Sequence, residues 1–390
     1  MQQQALKVRP PQDAASINTT TGAAVVPSIR MLGRDAWNAC FPDDIETYDY
    51  LLTVEDAGID GFDWRYVVVR EDGEIVAAMP AFLCRYALET TLEAGGIKRT
   101  VERIRSSFSG FLTLRLACLG SPCTETGAIG FHPETAPASR PELFAQLLDA
   151  FEAHARAEGC SLMALKDLPR PIPPHIEPVL SSTGYAEIGG MPTAWLDIGF
   201  ATIDEYLATL SSSTRKDIRR KLRGRQQVRV EHRAEFGDLL PRVMQLYLAT
   251  RERSDWQFEE LTPAYFDGIL RNMPGHSFCT MYFVDEELLA ANLLVHDGNR
   301  LIDKFFCMDA ERGRPYNLYY LSWFNNIEYC LRHGIGCYQS GQAYYHNKVR
   351  LGSQLTENAM YFRHRNPILQ FILKTISPLL AAGDKGRVEA

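Results

Sequence analysis

No Cys-x-x-Cys pair occurs in this sequence, no apolar segment leads it, and its overall charge is not positive. Each absence removes a class of protein. The nine cysteines, Cys40, Cys84, Cys118, Cys123, Cys160, Cys279, Cys307, Cys330 and Cys337, are an odd set without metal-ligand spacing, and most sit in apolar runs such as LRLACLG and KFFCMD. They read as buried free thiols in a reducing compartment, which argues against a disulfide scaffold or a zinc ribbon. Residues 1–27, rich in Gln, Thr, Ala and Pro, lack the apolar core of a secretory leader, so a disordered tail on a cytoplasmic chain is expected. A net charge of -7 excludes a protein that coats nucleic acid with its whole surface, while leaving room for a local basic patch.

What is present is a composition of ordinary globular kind, 46% apolar over 390 residues, long enough for two domains. Folded structure is expected from about Ser28. Residues 31–56 read as helix broken at Pro42, with a second start at Asp43 and Asp44 where carboxylates favour a helix N-terminus. Trp64 to Val69 and Ile75 to Leu83 read as strands around the hairpin signal Asp72-Gly73. Leu112 to Leu119 is a further strand, 120–140 a long loop, 141–158 a helix closed by Gly159, and 161–166 a strand. A short helix near 179–183 and strands within 185–198 complete this half.

The order then recurs. His276 to Phe283, Glu287 to Val295 and Leu301 to Met308 read as three strands. A polar turn follows at 309–315, then apolar positions Leu318, Leu321, Phe324, Ile327 and Leu331 at helical spacing, ended by His333-Gly334. A strand at 335–339 leads to a helix carrying Tyr344, Tyr345 and Lys348. The turn before the helix at 318 would offer unpaired N–H groups and a positive dipole end, which suits a phosphate. Arg312, Gly313, Arg314 and Asn317 lie in it.

Two further features bear on chemistry. Asp303 and Lys304 stand inside an apolar strand, where a charge is costly unless paired or useful, and strand alternation sends them to opposite faces. Asp303 is therefore a candidate for orienting or deprotonating a substrate amine. From Ser213 to Arg233 nine Lys or Arg face only Asp217 and Glu231, with Ile218 and Leu222 forming a narrow docking stripe. That segment reads as a solvated face, as a site for a phosphate-rich ligand, or as a surface for an anionic membrane.

With its carrying pieces IDEYLATLSSSTRKDIRRKLRGRQQVRV, ATRERSDWQFEELTPAYFDGIL, VDEELLAANLLV and YQSGQAYYHNKVRLG in that order, the chain resembles the GNAT acyltransferase fold written twice, as in Fem-type peptidoglycan aminoacyltransferases and FemAB-like tandem-GNAT proteins. The resemblance covers roughly residues 30–365. It implies an α+β fold of two GNAT-like (acyl-CoA N-acyltransferase) halves, 28–200 on the acceptor side and 201–365 catalytic, each a mixed, mostly antiparallel sheet flanked by helices. It also implies transfer of an acyl or aminoacyl group to an amine without metal or redox cofactor.

On that resemblance, Tyr344 or Tyr345 would protonate the leaving group and Lys348, sharing the face of Tyr344, would hold an anion. Arg312, Gly313, Arg314 and Asn317 would bind the donor's phosphates, although one glycine and Pro315 replace a glycine-rich cradle. Arg215, Arg219, Ser340 and Gln342 would contact substrate. The leading expectation is an N-acyltransferase using acetyl-CoA or another acyl-CoA as co-substrate, with a small or lipid-linked amine of a cell-envelope or exopolysaccharide precursor as acceptor. The alternatives are an aminoacyl-tRNA-dependent cross-bridge transferase, against which the lack of an evident long helical hairpin speaks, and a non-catalytic binding module. The apolar stretch 366–380, NPILQFILKTISPLL, is too short to span a bilayer and reads either as a packed helix or as an interfacial one that holds the enzyme at the inner face of the membrane.

Overall fold

The computed structural model describes residues 21–87, 113–254, 258–375 and 377. In the first half the strands are β1 (Gly22–Val26), β2 (Phe62–Glu71), β3 (Glu74–Ala87), β4 (Thr113–Leu119), the short β5 (Gly130–Phe131), β6 (Leu162–Pro169), β7 (Ala186–Gly189) and β8 (Thr193–Asp197). Its helices are α1 (Arg34–Ala39), α2 (Tyr48–Asp56), α3 (Arg140–Ala157) and α4 (Glu177–Ser182). The second half holds β9 (Arg229–Arg233), β10 (Ser277–Val284), β11 (Glu287–His296), β12 (Arg300–Met308), β13 (Cys337–Gly341), β14 (Gln354–Thr356) and β15 (Asn358–His364). Its helices are α5 (Ile203–Thr209), α6 (Ser212–Lys221), α7 (Leu240–Arg251), α8 (Pro263–Asn272), α9 (Ala310–Gly313), α10 (Leu318–His333) and α11 (Tyr345–Arg350), followed by α12 at 367–375.

The expected repeat is visible in the pairing. One sheet runs β1-β2-β3-β4-β6-β15-β7 with β5 beside β3, and the other β9-β10-β11-β12-β13-β8-β14. Each begins as an antiparallel meander of four strands. Each then adds a parallel strand, β6 beside β4 or β13 beside β12, after a crossover that contains a long helix, α3 or α10. Next to that strand each sheet takes a strand from the other half: β15 lies between β6 and β7, and β8 between β13 and β14. The change of sheet thus falls between Gly189 and Thr193 rather than at residue 200, and the last strand returns to the first sheet before residue 365.

Burial follows the strand period. Val67 and Val69 pack toward α3 with Leu143, Phe144, Leu147 and Phe151, whereas Tyr66 and Val68 face the centre of the molecule. There they share one core with Trp37 and Tyr50 of the first half and with Tyr247, Phe266, Met281 and Ile302 of the second. Across the second sheet Trp323, Phe324 and Ile327 of α10 cover Leu294, Leu301 and Tyr338.

Several local expectations need correction. Residues 22–26 are an edge strand on β2 rather than tail, because Ala23 to Val26 supplies an apolar run that the meander can pair; residues 1–20 lie outside the described residues. The second helix begins at Tyr48 instead of Asp43, since Asp44 accepts the Glu46 N–H and holds a turn there. All nine cysteines are free and most are buried, as expected. Among the described residues no helix is long and apolar enough to cross a membrane.

Candidate functional site

Strands β12 and β13 pair only through Arg300, Leu301 and Ile302, opposite Cys337, Tyr338 and Gln339, and then part. Past Ile302 the two strands part, and β13 makes no further ladder pair with β12. Asp303 is the first residue past that point. A register shift in the β11–β12 ladder sits at the same point, so the strand is bent where it opens.

Asp303 accepts hydrogen bonds from Asn292 Nδ2 (3.1 Å), the Tyr338 hydroxyl (3.0 Å) and Asn326 Nδ2 (3.5 Å), all on Oδ2. Oδ1 takes none among the described residues. Burial pushes the carboxyl up to about 6, against the pull of Asn292 and Tyr338 and of the Lys348 ammonium. Near it, Asn292 Oδ1, Asn326 Oδ1, Tyr319 Oη and Ser340 Oγ are buried without a hydrogen-bond partner among the described residues.

The strand end Ser340 to Tyr344 forms the other wall. Gly341, Ala343 and Tyr344 have φ of 83°, 71° and 53°, two of them non-glycine, so the loop is held against its own preference. Buried Lys348 holds it: Nζ donates to the carbonyls of Ser340 (2.6 Å), Gly341 (2.9 Å) and Gln342 (3.3 Å). Burial lowers the ammonium to about 8, with Glu125 and Asp303 opposing the fall. The loop presents Tyr344, 70% exposed, at the head of α11. At φ 83° a side chain on Gly341 would be strained, and its Cβ would stand 2.8 Å from Glu125 Oε1, so that carboxylate would have to shift.

Glu125 comes from the first half. In the first sheet the matching wedge beyond β4 and β6 is filled by its own loop, Ser121 to Gly127, packed so closely that a Cβ on Gly127 would lie 2.4 Å from the Lys166 carbonyl. Lys166 donates to the Thr124 carbonyl (2.7 Å), Lys304 to that of Cys123 (2.9 Å), and Gln339 to Glu125 Oε2 (2.6 Å). Lys304 also pairs with buried Glu46. One wedge is therefore closed by a plug, and that plug's tip lines the open one.

The structure sorts the expected site residues. Lys348, Ser340 and Asp303 lie together at the wedge, and Tyr344 stands exposed on the loop at its rim. Tyr345 does not join them, because its hydroxyl donates to the Pro192 carbonyl (2.8 Å) and its ring is buried. Gln342 ties the halves by donating to the Met191 (3.1 Å) and Glu125 (3.3 Å) carbonyls. Arg312 is held by Glu287, while Gly313 packs under Leu318. Asn317 takes a left-handed conformation (φ 53°) and donates to the Lys221 carbonyl (3.3 Å). Arg314 is exposed, without an ion pair among the described residues.

The first turn of α10 reaches the wedge through Tyr320, whose hydroxyl meets Asn347 Oδ1 (3.3 Å). Lys221 Nζ lies 3.5 Å from the Tyr320 ring centroid, which brings the end of basic helix α6 to this rim. Asp217 gathers Arg220 (2.7 Å), Lys221 (3.1 Å) and Arg350 (3.6 Å), and Arg215 leans toward the Leu207 carbonyl (3.5 Å). Lys216, Arg219 and Arg223 have no acidic partner among the described residues and face solvent or its edge.

Asn292, Asn326, Tyr319, Tyr338 and Glu125 were not singled out from sequence. The first four carried a signal, a polar group within an apolar strand or helix; Glu125, in a long loop, carried none.

Comparison with known proteins agrees with the fold. A FemAB-like family model, described as peptidoglycan biosynthesis/recognition, matches residues 131–377. Among curated proteins the chain is similar to a Mycobacterium tuberculosis protein named 8-amino-7-oxononanoate synthase 2, 22% identical over 329 residues, covering 81% of this chain and 42% of that relative. The chain thus spans about two fifths of the length of the curated relatives it matches. Among solved structures it is similar to FemX, with TM-score 0.58 and 14% identity over 88% of this chain and 98% of that one. A tandem GNAT protein from the clavulanic acid biosynthesis pathway gives 0.52 and 14% over 88% and 99%. L-PGS from Bacillus licheniformis gives 0.50 and 11% over 87% and 97%.

Proposed function

Because the chain belongs to the FemAB-like family, we propose that it moves an acyl or aminoacyl group from an activated donor to an amine of a cell-envelope precursor. The observation that carries this reading is Asp303: a carboxylate with three donors on one oxygen and none on the other, set where two parallel strands part. In the reaction, Oδ1 of Asp303 takes the proton as the amine nitrogen bonds to the donor's carbonyl carbon. Backbone dipoles of β12 past Ile302 face the developing oxyanion. The bond to the leaving group then breaks, and the Tyr344 hydroxyl supplies its proton. Lys348, with all three N–H groups engaged, acts as a positioning residue for that tyrosine.

The donor is first a thioester of the acetyl-CoA type. A second reading, aminoacyl-tRNA, is favoured by one feature: the loop before α10 makes a poor cradle for a compact pyrophosphate, since Arg312 is held by Glu287 and Pro315 offers no N–H, whereas Lys216, Arg219 and Arg223 form an unpaired cationic rim. Titrating the protein with acetyl-CoA and with charged tRNA, followed by melting temperature, separates the two. Binding of tRNA through three such cations would fall steeply between low and moderate salt, by roughly tenfold or more, and the Arg219→Ala, Arg223→Ala double variant would flatten the slope. Stabilisation by neither donor would favour a non-catalytic binding module over both readings.

A further inference from the structure

In α12, at 367–375, the usual arrangement of a surface helix is reversed. Gln370 faces the body, donating to the carbonyls of Gly184 (3.3 Å) and Phe362 (3.5 Å) and accepting from the His364 N–H (2.7 Å). Opposite it, helical spacing lines up Phe371, Ile368, Ile372 and Leu369 on one continuous arc, and these are 72%, 69%, 46% and 43% exposed. A surface helix normally turns such an arc inward. Among the described apolar residues of the helix, Leu373 packs on the body, against the cluster of Phe82, Leu116, Cys118 and Leu162 that also supports half-buried Phe62, Trp64 and Phe362. From residue 365 to 377 there is no carboxylate, in a chain of net charge -7, and Arg365 and Lys374 stand at the two ends of the helix.

We propose that this arc docks the protein on an anionic lipid surface, with the helix lying along the interface and its apolar side chains below the headgroups. The charge pattern selects that occupant. A second copy of the chain meeting the same face would bring cation against cation, whereas an anionic leaflet complements both ends. At nine residues the helix is about 13 Å long, which suits lying in the interface and not crossing it. The inference goes beyond the transfer reaction, because a chain unable to transfer any group would still dock.

Flotation of the full chain with vesicles of phosphatidylcholine plus about one third phosphatidylglycerol, against phosphatidylcholine alone, tests it. The protein is expected to rise with the anionic vesicles. Both Ile368→Ser with Phe371→Ser and Arg365→Glu with Lys374→Glu should weaken binding about tenfold or more while the melting curve is kept, since these side chains are exposed. The Asp303→Asn variant should bind vesicles unchanged, so that failure of docking and failure of the transfer reading are told apart. The proposal is overturned if the wild-type chain stays with the buffer. It is also overturned if the serine variant floats undiminished, or if that variant turns a solution dimer into a monomer, since a second copy would then be what covers the arc.

Discussion

Asp303 holds its proton to about pH 6 in the folded protein because burial disfavours the anion. Unfolded, it would ionise in the ordinary carboxylate range, so between that range and about pH 6 the native state carries the extra proton. Its contribution to stability is then complete in acid and is lost as pH rises through about 6. Replacement by asparagine removes that cost. Asp303→Asn should gain on the order of 1 kcal/mol against urea at pH 7 and nothing near pH 4, while losing activity. The wild-type kcat/KM should climb across pH 6 and the climb should vanish in the variant. A gain over wild type no larger at pH 7 than at pH 4 would deny Asp303 this environment. Tyr344 and Lys348 separate differently. Tyr344→Phe should lower kcat about 100-fold with an unchanged melting temperature, the ring being exposed. Lys348→Met should cost about 2–4 kcal/mol, because three carbonyls and two nearby carboxylates lose their cation. Asp303 was legible as a charge inside an apolar strand. The engagement of Tyr345, Gln342 and Arg312 was not, because their partners, the Pro192, Met191 and Glu125 carbonyls and the Glu287 carboxylate, are set by how chain segments distant in sequence meet.

Among the elements, the loop from Ser340 to Tyr344 links sequence to function most directly. Ala343 and Tyr344 both sit in the left-handed region, and Lys348 offsets the strain by drawing three carbonyls onto one ammonium. Ala343→Gly should therefore stabilise the protein by about 0.5–1 kcal/mol in denaturant unfolding. It should also lower kcat, since a loop that adopts the turn without strain holds Tyr344 less firmly. Unchanged stability would show that the strain is relieved elsewhere. Helical periodicity was enough to find α3 and α10, and alternating or apolar runs found β2, β3, β10, β11 and β12. Neither could reveal the plug from Ser121 to Gly127, since its conformation is dictated by Lys166, Lys304, Gln342 and Asn358, all distant in sequence. The edge strand at Gly22–Val26 was missed because a five-residue run next to Pro27 is too short to stand apart from a tail.

At the scale of the whole molecule, duplicated element order announced two similar sheets, and the strand pairing bears that out. Element order carries no register, so the exchange of β8 and β15 was invisible until the ladders were known. Because α1 and α2 share a core with α7 and α8 as well, the halves should unfold together. Fluorescence of Trp37 and Trp64 in the first half and of Trp323 in the second should report one coincident urea transition. Fragments 21–200 and 201–390 expressed separately should each fail to fold. Two resolved transitions would contradict this. The exchange also sets a timetable for synthesis. When the ribosome has finished the first half, that sheet still lacks the strand that belongs between β6 and β7, and its apolar edges must wait through roughly 160 further residues, some ten to thirty seconds of translation, before β15 emerges. A translational pause placed before residue 358 would prolong that exposure.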